Sequence, residues 1–284
     1  VSPETALGWR AEDVFLNAFP APIQVFVGTM VARLGGGVSR RACSASPLCS
    51  RIDDLHGTVE TCETLYLERG LSPRFRIPDL LEPALDHLLA ERGYTVECDV
   101  RTLLAPEIKP ERGQEGKADS AITLLPKPDA DWLAALDRLK SLTPDQSADY
   151  RASLAAIGLP CLFAALWEDG AITALCFGGI QFGLLAVEGV VTDPALRNGG
   201  RARRLVGRMM ARAKSLGAEA ATLQVQAENA PALALYARLG FSNDLHRYHF
   251  RRKALEVSDI EANRHAESLP AARPNLVQIA RDLL

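Results

Sequence analysis

Residues 190–209, VVTDPALRNGGRARRLVGRM, constrain the fold more than any other stretch of this sequence. An apolar run with strand character ends near Thr192, Asp193 and Pro194 follow as a turn, and two adjacent glycines precede a run of arginines spaced among apolar residues. Glycine and proline fall where the apolar period changes, so a strand is handed to a helix across a glycine-rich loop. The helix expected over 200–217 puts Ala202, Leu205, Val206, Met209, Ala213 and Leu216 on one face. Arg203, Arg204, Arg208, Arg212 and Lys214 fall mainly on the other, the pattern of a helix packed on a sheet. Its first turn carries unpaired N–H groups and the positive end of the helix dipole, and side-chain-free glycines let a bulky anion approach them. The stretch is a candidate phosphate cradle.

The 284 residues suit one large or two ordinary domains. The segment 105–130 holds four prolines around a polar centre without helical period and reads as a boundary between halves. Before it the pattern gives a helix at 10–18, strands at 22–34 and 37–46, a helix at 52–70, a short strand RFRIP, a helix at 80–92 and a strand at 94–104. After it come helices at 130–141 and 145–157, an antiparallel meander of three strands (PCLFAALWED, AITALCFGGIQ, GLLAVEGVVTD), the arginine-rich helix, and the strand EAATLQVQ. A helix at 230–239 stopped by Gly240, a strand at 244–252 and a polar tail with a short helix at 275–283 complete the expectation.

Net charge is −3, which gives no electrostatic reason to expect a nucleic-acid or membrane partner. No apolar run approaches bilayer length and no secretory leader opens the sequence, so a cytoplasmic protein is expected. The six cysteines form no C-x-x-C pair and read as buried free thiols. His246 and His249 sit in an alternating run that points them to opposite faces, so no metal site is expected. Trp132, Trp167 and Phe182 read as core aromatics rather than a substrate platform.

Three features then coincide in order: the strand VEGVVTDP, the loop Arg197-Asn198-Gly199-Gly200-Arg201-Ala202, and AENAPALALYARLGF at 227–241. Together they resemble the GNAT superfamily of acyl-CoA-dependent N-acetyltransferases, whose loop signature is Q/R-x-x-G-x-G/A. The resemblance covers about residues 120–252. It implies an α/β (mixed α+β) chain of two GNAT-like domains, each a largely antiparallel mixed sheet flanked by helices: a degenerate domain at 1–106, a linker at 107–119, a catalytic domain at 120–253 and a tail at 254–284. In the first half RLGGGVSRRACSASPL replaces the cradle. Its alternation suits a hairpin, with Arg40 and Arg41 as solvated strand arginines or, alternatively, holders of a second cofactor phosphate.

The resemblance also implies roles. Acetyl-CoA is the cosubstrate: the backbone N–H groups of Asn198, Gly199, Gly200, Arg201 and Ala202 receive its pyrophosphate, with Arg197 and Arg203 adding charge-assisted contacts. Val190 and Val191 pair with the pantetheine arm as an added strand would. Asn229 binds a pantetheine amide or only caps its helix. Tyr236 protonates the departing thiolate, and Glu188 deprotonates the amine or is a solvated edge residue. The implied reaction is acetyl transfer to a primary amine, in a small molecule or a peptide, by direct attack in a ternary complex, without a metal, in a monomer or homodimer. A non-catalytic acyl-CoA sensor is the alternative. A nucleotide triphosphatase is disfavoured because no Lys-Ser/Thr follows the glycines.

Overall fold

The structure is a computed structural model that describes residues 2–36, 39–109 and 119–255. The first half contributes α1 (Pro3–Ala18), β1 (Gln24–Val27), β2 (Met30–Arg33), β3 (Ala45–Pro47), α2 (Leu55–Leu67), β4 (Arg74–Pro78), α3 (Ala84–Glu91) and β5 (Thr95–Ala105). The second contributes β6 (Ile122–Leu125), α4 (Ala130–Lys140), α5 (Pro144–Ala155), β7 (Cys161–Glu168), β8 (Ala171–Gln181), β9 (Leu184–Thr192), α6 (Arg201–Ser215), β10 (Ala220–Gln226), α7 (Ala230–Arg238) and β11 (Asn243–Arg252).

In place of two separate sheets there is one mixed sheet of 11 strands, ordered β1-β2-β3-β4-β11-β5-β10-β9-β8-β7-β6. The halves interlock at its centre, where β5 of the first half pairs antiparallel with both β10 and β11 of the second, and β11 in turn pairs with β4. Strand alternation then sorts the helices. On β8, Ala174 and Cys176 pack with Leu205 and Met209 of α6, whereas Leu175 and Phe177 pack with Trp132 and Leu136 of α4 and Tyr150 of α5. On β9, Leu185 and Val187 join the α6 cluster, and Leu184 and Ala186 meet Ala11, Val14 and Phe15 of α1. A fourth cluster packs Val59, Cys62 and Tyr66 of α2 and Leu85 and Leu89 of α3 on Phe75 and Ile77.

Local chemistry fixes the turns of the meander. Asp169-Gly170 joins β7 to β8 and Phe182-Gly183 joins β8 to β9, all four residues having φ between 52° and 78°, as two-residue turns of the hairpin type demand. Phe182 is therefore 61% exposed rather than core. Trp132 is buried and Trp167 half-buried.

Other expectations shift for stated reasons. The single strand at 22–34 is a hairpin of β1 and β2, broken at Gly28, whose φ is +57°. The strand expected at 37–46 survives only as β3; residues 37 and 38 lie outside the described residues, and 40–44 form a turn. Gly35 explains why: its N–H donates to the carbonyl of Ala42 at 2.8 Å, an approach so close that a Cβ on Gly35 would stand 2.6 Å from that oxygen. The short strand β6 lies inside the proline-rich segment, where four residues ahead of Pro126 are too few to show a strand period. Leu216 ends α6 at the surface, 45% exposed. Cys43, Cys62 and Cys176 are buried, whereas Cys49, Cys98 and Cys161 are half-buried. The helix expected at 275–283 lies outside the described residues.

Candidate functional site

The strand-to-helix handover is present. After β9 a single turn of 3-10 helix, Pro194–Leu196, leads into α6, with Asn198 at φ +64° and Gly200 at φ +78° as the N-cap. Asp193 accepts from the N–H of Ala195 and so acts as the turn residue it was expected to be. No side chain caps α6, and a Cβ built on Gly200 would meet nothing within 4 Å. The first-turn N–H groups thus stand without a side-chain acceptor, at an exposed loop. Arg197 and Arg203 reach solvent beside it. Arg201 turns back instead: its Nε donates to Glu168 Oε2 at 2.5 Å and its Nη1 to the carbonyl of Leu196 at 3.0 Å, so the side chain braces the loop. Gly199 is shaped by that brace, because a Cβ there would collide with the guanidinium. Ala202 is half-buried.

The strand before the loop opens. β9 and β10 pair in parallel from Leu184 with Ala220 to Val187 with Leu223 and then part, although β10 stays paired with β5 through Gln226. On its other edge β9 is bulged. Leu175 faces Val191 and Phe177 faces Glu188, so Gly189 and Val190 together oppose Cys176, and Gly189 has φ +63°. A glycine in that conformation is the usual first residue of such a bulge. It is also the residue for which there is room, since a Cβ on Gly189 would lie 2.7 Å from the Phe177 ring and 3.2 Å from the Tyr150 hydroxyl. The bulge and the parting leave Val190 and Val191 unpaired with β10.

Glu188, the last residue before the bulge, is 5% exposed and turned toward α1, α4 and α5. Both its oxygens are held by Arg41: Nη1 donates to Oε1 at 2.6 Å and Nη2 to Oε2 at 2.5 Å. Burial alone would lower the Arg41 pKa, but the Glu188 carboxylate outweighs it and holds the guanidinium charged. Arg41 also donates to Gln224 Oε1 at 3.2 Å, which accepts from the Tyr248 hydroxyl at 3.1 Å. Burial lowers the pKa of Lys140 and, with Glu188, raises that of Tyr150, the two being 5.7 Å apart, nitrogen to ring centre.

Tyr236 lies on α7, across the sheet from the Arg41 pair, packed edge-on against Phe241. Burial raises its phenol pKa above the ordinary range, with further upward pushes from Cys176 and Glu188, so the hydroxyl is protonated at neutral pH. Asn229 caps α7, accepting from the N–H of Ala232 at 3.2 Å. His246 and His249 point to opposite faces, toward Glu12 of α1 and Asp86 of α3, and no cluster of metal-ligand type occurs among the described residues.

Beside Glu188, on the α1 face, a cavity of about 630 Å³ opens between the loop at 39–41 and strands β4, β5, β10 and β11. Gln224, Tyr248 and Val100 form its floor. Sequence reasoning missed this wall and the Arg41 contact. Arg41 and Glu188 stand 147 positions apart in the chain, and the alternation around Arg41 argued for a solvated strand.

Residues 10–251 match the family described as "Probable histone acetyltransferase Rv0428c C-terminal". The chain belongs to this family, and it is a GNAT-family protein. It is 26% identical over 248 residues to an uncharacterized N-acetyltransferase, YobR, of Bacillus subtilis (strain 168), covering 86% of this chain and 98% of that one. A GCN5-related N-acetyltransferase from Kribbella flavida shares the fold, with a TM-score of 0.63 at 18% identity over 88% of this chain and 97% of that one. A tandem GNAT protein from the clavulanic acid biosynthesis pathway does so with a TM-score of 0.55 at 12% identity, covering 74% of each chain. Among the described residues no helix is long and apolar enough to cross a membrane.

Proposed function

We propose that this GNAT protein transfers an acetyl group from acetyl-CoA to a primary amine by direct attack in a ternary complex, using the second half as the catalytic domain and a degenerate GNAT-like first half as a wall of the acceptor site. The observation that carries the reading is the parting of β9 from β10 beyond Val187, together with the bulge at Gly189. These free the backbone of Val190 and Val191 to pair with an extended arm. They lie between the uncapped N-terminus of α6 on one side and the cavity beside Glu188 on the other.

In this reading the loop 197–202 holds the pyrophosphate through backbone N–H groups, with Arg197 and Arg203 supplying charge. The amine nitrogen attacks the thioester carbonyl carbon, and collapse of the tetrahedral adduct expels the thiolate. The proton lost by the amine passes to Glu188 through water, because each of its oxygens keeps a second lone pair beyond the bond to Arg41. The Tyr236 phenol supplies the proton for the thiolate. Asn229 keeps its capping role, which leaves its amide N–H groups for a pantetheine carbonyl.

A non-catalytic acyl-CoA sensor is the second reading, favoured by one observation: Arg41 already occupies both Glu188 oxygens. Turnover separates the two. Calorimetry should show acetyl-CoA binding, and Tyr236→Phe should lower kcat by roughly ten- to a thousandfold with the acetyl-CoA Kd unchanged. Equal turnover by the two proteins removes Tyr236 from the chemistry, and acetyl-CoA binding without turnover on any amine supports the sensor.

A further inference from the structure

We infer that the acceptor is an amine that also carries an anionic group, a carboxylate or phosphate, and that the far end of the cavity beside Glu188 binds this group through Arg40, Arg74 and Arg252. The inference rests on the transferase reading and names its substrate class.

The cavity wall is cationic beyond what its own carboxylate balances. Glu97 is approached by Arg74 at 3.1 Å, Arg252 at 3.4 Å and Arg40 at 3.8 Å, so three guanidiniums share one carboxylate. Among the described lining residues Glu97 is the one acid, and Arg41, the fourth lining arginine, is committed to Glu188. Two positive charges therefore remain over at this end. The side chains of Arg40 and Arg252 are 50% and 43% exposed, so both can swing toward a ligand, and guanidiniums recognise planar or tetrahedral anions through paired N–H donors. Arg74 is the fixed member, 13% exposed and anchored by a bond to the carbonyl of Cys43.

The backbone is bent to build this cluster. On β5, Asp99 pairs with His249 and Glu97 with Phe250, leaving Cys98 as an extra residue at φ +55°. In a regular strand Glu97 would point away from the face that Val100 presents to the cavity, because alternate residues share a face. The bulge reverses that parity, and both Cys98 and Glu97 line the cavity. A non-glycine residue held in the left-handed region and a broken ladder are local costs, and bulges commonly re-aim a side chain beside a site.

The two ends of the cavity then have complementary tasks. Gln224, bonded to Arg41, is level with Thr102 on β5 and, through it, with His246 on β11, and Glu97 faces Phe250 four positions further along β11, a separation of roughly 13 Å at about 3.3 Å per residue. An acceptor with its amine at Glu188 and its anion among the arginines spans much of this length. The same positive field disfavours a protonated amine and so favours the free-base nucleophile that attack on a thioester requires. A lysine-rich peptide brings additional cations into this field and should be rejected by it.

The test is calorimetry on the full chain, with and without CoA, using ω-aminoalkyl carboxylates and phosphates of increasing length, diamines of the same lengths and a lysine-rich peptide. The anionic amines should bind at least about tenfold tighter than the diamines and the peptide, with the longer members preferred. Arg252→Gln and Arg40→Gln should each erase most of that preference while leaving the CoA Kd unchanged, which also shows that the variants are folded. Tighter binding of the diamines or peptide, no binding of any anionic amine, or a preference that survives both variants overturns the inference. Failure of CoA to bind overturns the transferase reading instead, because the anion preference is read without CoA as well.

Discussion

Two arginine–glutamate pairs lie along the join between the halves, Arg41–Glu188 bridging it directly and Arg76–Glu12, both in the first half, meeting the second half through His246, and they are built for different ends. Arg76 of β4 meets Glu12 of α1, side chains 3% and 1% exposed, and lies over the Tyr248 ring at 3.6 Å. His246 of β11 completes that cluster through Nε2, 2.7 Å from Glu12 and 3.1 Å from Thr102. Of this cluster Tyr248 lines the cavity, whereas Arg76, Glu12 and His246 do not. Arg41 and Glu188 are less deeply placed, side chains 18% and 5% exposed: Arg41 lines the cavity and Glu188 sits where β9 leaves β10. The same pair chemistry serves as a sealed joint in one place and as a charged wall facing a ligand space in the other. Both the exposure of the arginine and the backbone beside each pair tell them apart.

The largest effect should come from breaking the sealed joint. Arg76→Ala leaves Glu12 charged and without a matching cation, which should cost about 3–5 kcal/mol of unfolding free energy. Arg41→Ala should cost less, about 1–3 kcal/mol, because water can enter from the cavity to solvate Glu188. Urea denaturation of the two variants checks this. Equal losses would mean the two pairs are energetically the same and the contrast is only one of position.

A second difference should appear in acid. Burial, then the nearby Arg76 charge, lowers the His246 pKa from 6.5 to about 3. The ring makes its hydrogen bonds through Nε2, while Nδ1 is buried without a partner, so a proton added there would have no acceptor. Above pH 6.5 neither the folded nor the unfolded chain is protonated at this residue, and its stabilising contribution is complete. As pH falls from 6.5 toward 3 the unfolded chain takes up a proton that the folded chain refuses, and stability drops by up to about 1.4 kcal/mol per pH unit. His246→Gln should flatten this part of the stability–pH curve relative to wild type. An unchanged slope would show that His246 titrates normally in the fold.

The smallest effect should sharpen how the two joints communicate. Gln224 Oε1 accepts from both Arg41 and Tyr248, and Tyr248 stacks on Arg76. Gln224→Leu should cost about 1 kcal/mol. A double-mutant cycle of Arg41→Ala with Arg76→Ala should show coupling of about 0.5–1 kcal/mol that disappears in the Gln224→Leu background. Additive losses in the wild-type background would make the joints independent.

The contrast also marks what could be read from the sequence. The second half was legible because its signals are local: apolar period, a glycine-containing turn between the first two strands of the meander, and the glycines ahead of the arginine-rich helix. Helix α6 and the meander stand where those signals put them. Asn229 and Asp193 take the capping and turn roles that their residue types suggest. The first half was less legible between residues 22 and 47. There Gly35 pressed against Ala42 and Arg41 drawn to Glu188 override the alternation, and both are tertiary facts. The bulges at Gly189 and Cys98 were equally hidden, since a single displaced residue leaves the composition of a strand unchanged. Arg74, Glu97 and Arg252, the far wall of the cavity, come from three strands that only the assembled sheet brings side by side.

Strand β5 has a consequence for how such a chain comes into being. It is synthesised before any of the second half, yet its neighbours on both sides, β10 and β11, are among the last elements to emerge. More than a hundred residues must be made before the middle of the sheet can close, so the centre is assembled from contacts of high sequence separation and closes late. Until then β5 is an unpaired edge open to other chains. A break in the chain between β5 and β6 would not yield two independent modules, because each half would have lost strands that the other holds.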